Sequence, residues 1–354
     1  MDDYKKQLSN LIMAAVKEDA SDLHFTVARH PTIRIAGSLI PLVKNPILSP
    51  EDTEGLVFAM LNEEQRRKLL NDKEIDFSYV LGDKTRLRVN AFYQRGFLGA
   101  ALRFIPVKIM TFKELNLPEV LTDFANKEQG FFLIVGPIGH GKSTTMASMI
   151  DFINHSRAEH ILTIEDPIEH IFAQDKSIID QREVKIDTND FKNALRSMFR
   201  EDVNVAMLGE MRDTETISAA VTAAETGHLI FSSLHTNDAA QTIDRIIDSF
   251  PTDRQNQIRL QLSNALVGVF SQRLLPRISG GLIPAYELLI ATPAVKNLIR
   301  ENRTHEIDIV IETSLELGMV SLNRSLADLV REGEISADNA YNYSLNSKGL
   351  EGLI

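Results

Sequence analysis

The sequence predicts an α/β protein in which a smaller mixed α+β domain precedes a doubly wound parallel sheet. Three observations predict it. Residues 136–145 read Gly-Pro-Ile-Gly-His-Gly-Lys-Ser-Thr-Thr and fit the phosphate-binding pattern G-x-x-x-x-G-K-[ST] without a mismatch. Beyond that loop, short apolar runs ending in acidic or polar residues alternate with helical patterns. At 354 residues the chain is also long for one core, so two domains are expected.

Composition narrows the class. Apolar residues make up 44% and charged residues 25%, which is ordinary for a globular protein. A net charge of −11 argues against a nucleic-acid-binding surface, leaving only a local basic patch as a route to one. Without cysteine there is neither a disulfide nor a cysteine-ligated zinc. Met1-Asp2-Asp3-Tyr4-Lys5-Lys6 lacks the apolar core of a signal peptide, and no apolar run approaches ~18–20 residues. The expectation is a cytoplasmic protein with no direct membrane span, reaching a membrane only through partners.

In order along the chain, Leu8, Leu11, Ile12 and Ala15 fall at helical spacing within residues 3–18. A strand-like region opens at Ser21-Asp22-Leu23-His24-Phe25. Ile33-Arg34-Ile35 and Leu39-Ile40-Pro41-Leu42 form a hairpin pattern around Gly37. Ser49, Pro50 and Asp52 mark a helix start, and Leu56, Val57, Met60 and Leu61 face inward. A second helix covers about residues 62–70. Residues 76–80 and 86–92 alternate with period two around a Gly82-Asp83-Lys84 turn, and residues 99–105 give a further strand. Domain one is thus residues 1–105. Residues 106–117 read as an interdomain linker, with Thr111 and Glu114 spaced as a capping box. The second domain is residues 118–354.

Phe131-Phe132-Leu133-Ile134-Val135 reads as a strand buried on both faces, and helical spacing resumes after the loop. Three more strands are expected at residues 161–164, 205–208 and 229–234, ending in Glu165-Asp166-Pro167, Gly209-Glu210 and His235-Thr236. Helices separate them, capped by Asp213 and Asn237. From residue 252 onward the pattern is mostly helical, with a helical C-terminal part at about 285–354.

The chemistry follows from placement, because ligands of such sheets sit at the carboxyl ends of the strands. Gly136 and Gly141 allow tight turns that aim N–H groups at an anion, and the helix N-terminus adds positive potential. Lys142 would reach the β/γ-phosphates of ATP, and the Ser143 hydroxyl would ligate Mg²⁺. Glu210 is the candidate to hold or deprotonate the attacking water. Glu165 either orders the metal's water shell or begins a turn with Asp166-Pro167. His228 and His235 lie seven residues apart across one strand, so they point to opposite faces and are not two ligands of one metal. His235 is the candidate γ-phosphate sensor, and His228 is either structural or functional. Arg88 and Arg103 either lie on an exposed sheet face or reach a γ-phosphate from another domain or subunit.

On these blocks the chain resembles the type IV pilus retraction ATPases, the PilT-like branch of the secretion ATPases. The phosphate loop is one block. Residues 161–169 resemble the family's acidic box, residues 200–213 its second nucleotide motif, and residues 222–236 its histidine box. Ala294-Val295-Lys296-Asn297-Leu298-Ile299-Arg300-Glu301 is similar to a C-terminal motif associated with retraction. The resemblance implies a PAS-like N-terminal domain, a RecA-like P-loop NTPase domain and a homohexameric ring that hydrolyses ATP to drive pilus disassembly. It also implies an inner-membrane platform protein as partner, leaves room for a paralogous retraction ATPase, and places the ring at the inner face of the cytoplasmic membrane. The implied catalytic set is Glu210, Lys142, Glu165, His235, Arg88 and Arg103. The implied nucleotide-binding set is Gly136, Pro137, Ile138, Gly139, His140, Gly141, Lys142, Ser143 and Thr144, with His228. Mg²⁺ would be held directly by Ser143 and through water by Glu165 and Glu210.

Departures from the family pattern are His140 in place of serine, Val203-Asn204 in place of Pro-Asp, and Val295 and Lys296 in place of isoleucine and arginine. An assembly or secretion ATPase of the same superfamily is disfavoured by the absence of cysteine and the short N-terminal region. A DNA-translocating ATPase is disfavoured by the acidic balance. A non-hydrolysing regulatory subunit is disfavoured by intact Lys142 and Glu210.

Overall fold

The N-terminal helix α1 (Asp2–Lys17) buries Leu8, Leu11, Ile12 and Ala15, the residues at helical spacing, in a computed structural model that describes residues 2–35, 37–82, 85–105 and 108–354. The chain divides into two units, Met1–Lys108 and Ile109–Ile354.

In the first unit α1 is followed by β1 (Asp22–Phe25), β2 (Thr32–Ile35), β3 (Ser38–Pro41), α2 (Pro50–Met60), α3 (Glu63–Asp72), β4 (Glu74–Leu81), β5 (Thr85–Gln94) and β6 (Phe97–Ile105). Both helix starts carry reciprocal caps, Ser49 with Asp52 and Asn62 with Gln65, which satisfy otherwise orphaned N–H groups. The six strands form one sheet in the order β3-β2-β1-β6-β5-β4, all pairs antiparallel. Strand β5 shows why one face is the core: Leu87, Val89 and Ala91 are buried, while Arg86, Arg88 and Asn90 alternate to the other face. Asp83 and Lys84 of the expected turn, and Pro106 and Val107 of the expected linker, lie outside the described residues. Thr111 and Glu114 exchange the hydrogen bonds of a capping box, but on a turn rather than a helix.

The second unit runs α4 (Leu121–Ala125), β7 (Gly130–Val135), α5 (Lys142–Ser156), β8 (His160–Glu165), β9 (Ile178–Glu183), α6 (Phe191–Met198), β10 (Val205–Leu208), α7 (Thr214–Glu225) and β11 (Leu229–Leu234). It continues with α8 (Ala239–Asp248), α9 (Thr252–Ala265), β12 (Leu266–Pro276) and β13 (Leu282–Ile290). Then come α10 (Pro293–Arg300), α11 (Ile307–Thr313), α12 (Leu322–Arg331), α13 (Ala337–Tyr343) and α14 (Ser347–Glu351). Seven strands form a sheet in the order β13-β12-β7-β11-β10-β8-β9, parallel except for the β12/β13 pair. All six residues of β7 and all six of β11 are buried, as expected for strands covered on both faces. Phe131 and Phe132 are fully buried, each worth about 1.5–3 kcal/mol of transfer free energy.

Three strands depart from the sequence reading. Residues 266–276 and 282–290 form β12 and β13 where a helical pattern was expected, and β9 was not expected. Strand β12 is buried on both faces for most of its length and shows no period of two. The cap of α8 is Asp238, whose side chain accepts from Gln241 N–H, and not Asn237. Among the described residues no helix is long and apolar enough to cross a membrane.

Candidate functional site

The site is assembled at the carboxyl edge of the seven-stranded sheet. Register aligns Val135 of β7 with Leu234 of β11, and Leu208 of β10 with Ser232 of β11 and Ile164 of β8. The residues that follow these strand ends are the glycine loop, His235, Glu210 and Glu165.

The loop needs its glycines. Gly136 has φ +138°, and a Cβ there would lie 2.2 Å from the Gln272 carbonyl oxygen. A Cβ on Gly141 (φ +80°) would come within 2.9 Å of Gln272 Nε2 and 3.2 Å of Leu274. The back of the loop therefore rests on β12. Thr145 Oγ1 donates to Gln272 Oε1 at 2.6 Å, and the backbone N–H of Leu274 donates to His140 Nδ1 at 2.9 Å. The outer side is open: nothing lies within 4 Å of a Cβ at Gly139, and Ile138 is 81% exposed.

Helix α5 starts at Gly141 with no side-chain cap, whereas α7, α8, α10 and α12 each begin with an Asp, Ser or Thr side chain accepting an N–H. Its first-turn N–H groups have no side-chain acceptor, and they follow a glycine loop with the helix dipole behind them. This is the fit expected for a phosphate. Lys142 is buried, and its Nζ donates to Gly136 O and Pro137 O at 2.8 Å each and reaches His235 Nδ1 at 3.1 Å. Burial pulls the Lys142 ammonium down to about 8, against the opposing pull of Glu210 and Glu169.

His235 is the bridge. With Nδ1 accepting from Lys142, its proton sits on Nε2, which lies 3.7 Å from Glu210 Oε2. Glu210 is also paired with Arg212, which sequence reasoning did not single out. Glu165, at the end of β8, is 5% exposed. It accepts from Thr163 Oγ1 (2.7 Å), Gln181 Nε2 (3.2 Å) and the Glu169 N–H (3.3 Å). Burial pushes its carboxyl up to about 7 despite those donors. Among the described residues no cluster of three or more His, Asp or Glu side chains could hold a metal. A divalent cation would take oxygens from phosphate and water beside Ser143, as Mg²⁺ does at such loops.

Two expectations fall elsewhere. His228 precedes β11, at the amino edge of the sheet, roughly 20 Å along the strand from His235. Its Nδ1 hydrogen bonds to Ala223 O and its ring stands edge-on to Phe199, so within one chain it is not part of the loop cluster. Arg88 and Arg103 belong to the first unit, where they are cross-strand partners on the outer face of β5 and β6. Arg103 Nε donates to Asp22 at 3.0 Å, and Asp22 also accepts from Ser21. Gln272 and Leu274, which back the loop, carry no motif and were not anticipated.

Comparison with known proteins places this fold. The profile of the family described as type II/IV secretion system protein matches residues 2–282. The type IV pilus retraction ATPase PilT of Pseudomonas aeruginosa is 43% identical over 333 residues, 94% of this chain and 96% of that protein. A twitching motility protein of Neisseria gonorrhoeae is 44% identical over 321 residues, 90% of this chain and 86% of that one. The crystal structure of the pilus retraction motor PilT with bound ADP superposes with a TM-score of 0.92 at 45% identity, covering 97% of this chain and 98% of that one. The chain belongs to the type II/IV secretion system protein family and, within it, to the PilT-like branch of the secretion ATPases.

Proposed function

We propose that this protein is an ATP-hydrolysing motor that powers type IV pilus retraction and twitching motility. The observation that carries the proposal is the row Lys142–His235–Glu210 at the mouth of an uncapped glycine loop. Its location at adjoining strand ends is where an α/β sheet presents a ligand. The similarity to PilT, one structure of which holds ADP, points the same way.

In this reading the main-chain amides of residues 136–144 and the first turn of α5 cradle the β-phosphate. Lys142 leaves its loop carbonyls to meet the β/γ-phosphates, offsetting charge as the γ-phosphoryl departs. Glu210 accepts a hydrogen bond from the attacking water and takes its proton as the P–O bond forms. His235, touching both, reports whether the γ-phosphate is present. Ser143, directly, and Glu165 and Glu210, through water, would hold Mg²⁺, which would supply further neutralisation of phosphate charge. Arg88 and Arg103 supply positive charge from another subunit of a homohexamer, and His228 contributes at a neighbouring nucleotide. The first unit is the PAS-like domain and the second the RecA-like domain. The ring works at the inner face of the cytoplasmic membrane on an inner-membrane platform protein, alone or with a paralogous retraction ATPase. It neither spans the membrane nor binds nucleic acid.

The test pairs phosphate release with a size measurement by light scattering, with and without ATP and Mg²⁺. ATP-dependent turnover by a six-subunit particle is expected. A fully active monomer would overturn the supply of arginine in trans, and absence of ATP retention would overturn the site itself.

A further inference from the structure

The glycine loop follows β7, whose pairing with β12 ends at Ser271–Val135. Strand β12 continues for five more residues, to Pro276, with β13 on its other side. Beyond Ser271 the β7-facing edge of β12 therefore has no strand to pair with. An unpaired, partly buried edge N–H is costly. His140 meets that need: its Nδ1 accepts the Leu274 N–H at 2.9 Å, continuing the ladder with a side chain. The same ring stands edge-on to Tyr343 of α13, with centroids 6.3 Å apart.

We infer that His140 is a positioning residue that holds the phosphate loop in its binding shape by tying it to the overhanging edge of β12, and that the tie exists only while the imidazole is neutral. The inference rests on the reading of residues 136–144 as the nucleotide cradle. Three features support the tie. The ring is turned toward β12 and α13, not toward the open side of the loop at Ile138 and Gly139. It holds the middle of the loop, while Thr145 bonds to the Gln272 side chain at the far end and Gly136 lies close against the Gln272 backbone. An accepting Nδ1 places the proton on Nε2, so a second proton removes the acceptor.

The charged and titratable groups facing the ring are Lys142 on α5, Arg273 on β12 and Tyr343 on α13. Arg273 itself faces Asp238 and Glu287, and donates to Asn237 Oδ1 at 3.3 Å. Burial first, then Arg273 and Lys142, hold the His140 imidazole below its ordinary range. The neutral, tied form is thus present at neutral pH and is lost as pH falls through that lowered value.

The experiment compares full-length wild type with H140A, H140N and K142A. ADP affinity is followed by titration with a fluorescent ADP from about pH 8 down to about pH 5.5, and KM and kcat for ATP are measured at about pH 8. H140A is expected to weaken ADP binding and raise KM by about fivefold to tenfold, the value of one lost hydrogen bond. In H140N the amide oxygen can take the Leu274 N–H, so it recovers most of that loss. Wild-type affinity falls toward acid pH more steeply than that of H140N, which lacks the imidazole at this position. H140S replaces H140A in the comparison if H140A does not fold. K142A separates the two readings: ADP binding by K142A equal to wild type would show that the loop is not the nucleotide site. If K142A loses ADP while H140A matches wild type in Kd and KM at every pH, the positioning role is overturned. Affinity that tightens on acidification in wild type but not in H140N would also overturn it, since the imidazolium would then be on the phosphates.

Discussion

Lys142 Nζ lies 3.1 Å from His235 Nδ1, although 93 positions separate them in the chain. The contact exists because β11 is the immediate neighbour of β7, so the loop leaving one strand meets the residue leaving the other. With Glu210 3.7 Å beyond, cation, imidazole and carboxylate form one line. If Glu210 takes the water's proton, E210Q lowers kcat by about 10²–10⁴ while ADP affinity is kept. Steady-state phosphate release and ADP titration on the same preparation check this. Unchanged turnover would remove Glu210 from the role.

Substitution of Gly136 should disarm the loop by sterics alone. In G136A the new Cβ would sit 2.2 Å from a backbone oxygen of β12, at a φ that side chains rarely adopt. Backbone must shift, so a loss of roughly 2–4 kcal/mol in stability and of nucleotide retention is expected. Thermal melting with and without ADP reads both: ADP raises the midpoint of wild type but not of G136A.

Glu287 predicts a pH dependence of stability. It is buried on β13, accepts the Ala239 N–H at 2.8 Å, and burial pushes its carboxyl up to about 8 from 4.5, with Asp238 and Asp308 adding to the rise. A raised carboxyl binds its proton more tightly in the fold than in the unfolded chain. Its contribution is therefore complete below the ordinary value and is lost as pH rises through about 8. E287Q, whose amide oxygen keeps the Ala239 bond, removes that loss, on the order of 4–5 kcal/mol at the alkaline end. The gap between melting midpoints at about pH 5 and about pH 8.5 should narrow in E287Q. Glu165, raised to about 7 in the same direction, keeps it from vanishing.

The arginine pair on the first unit tests supply in trans. R88A and R103A should each lower kcat, and the double substitution by about 10³ or more, with ADP affinity little changed. Mixing an R88A/R103A chain with an E210Q chain should restore part of the turnover if the charge comes from a neighbouring subunit. The Arg103–Asp22 pair is largely solvent-exposed on the arginine side, so its loss costs at most about 1 kcal/mol of folding stability.

The sequence was most legible where local chemistry repeats in a short span. The loop, the caps at Ser49 and Asp213, and the doubly buried runs of β7 and β11 can each be read within about ten residues. Strand β12 was not legible because Ser271, Gln272 and Arg273 interrupt its apolar run while burial on both faces erases the alternation. Strand β9 was not legible because Asp180, Gln181, Arg182 and Glu183 give an edge strand the composition of a loop. Gln272 escaped for a related reason: it touches the loop from 127 residues away, with no spacing rule to announce it. Glu165 could be placed at a strand end, but not its burial or the hydrogen bonds it accepts from Thr163 and from Gln181 on the neighbouring strand β9.

The seam between β1 and β6 orders events during synthesis. Asp22 pairs with Arg103, so the first strand of the N-terminal unit waits for the last. Until residue 105 has emerged from the ribosome, the β2/β3 hairpin with β1 and the β4/β5 hairpin are two fragments that share no strand pair. Arrival of β6 between them welds both at once, giving this unit an all-or-nothing closing step late in its translation.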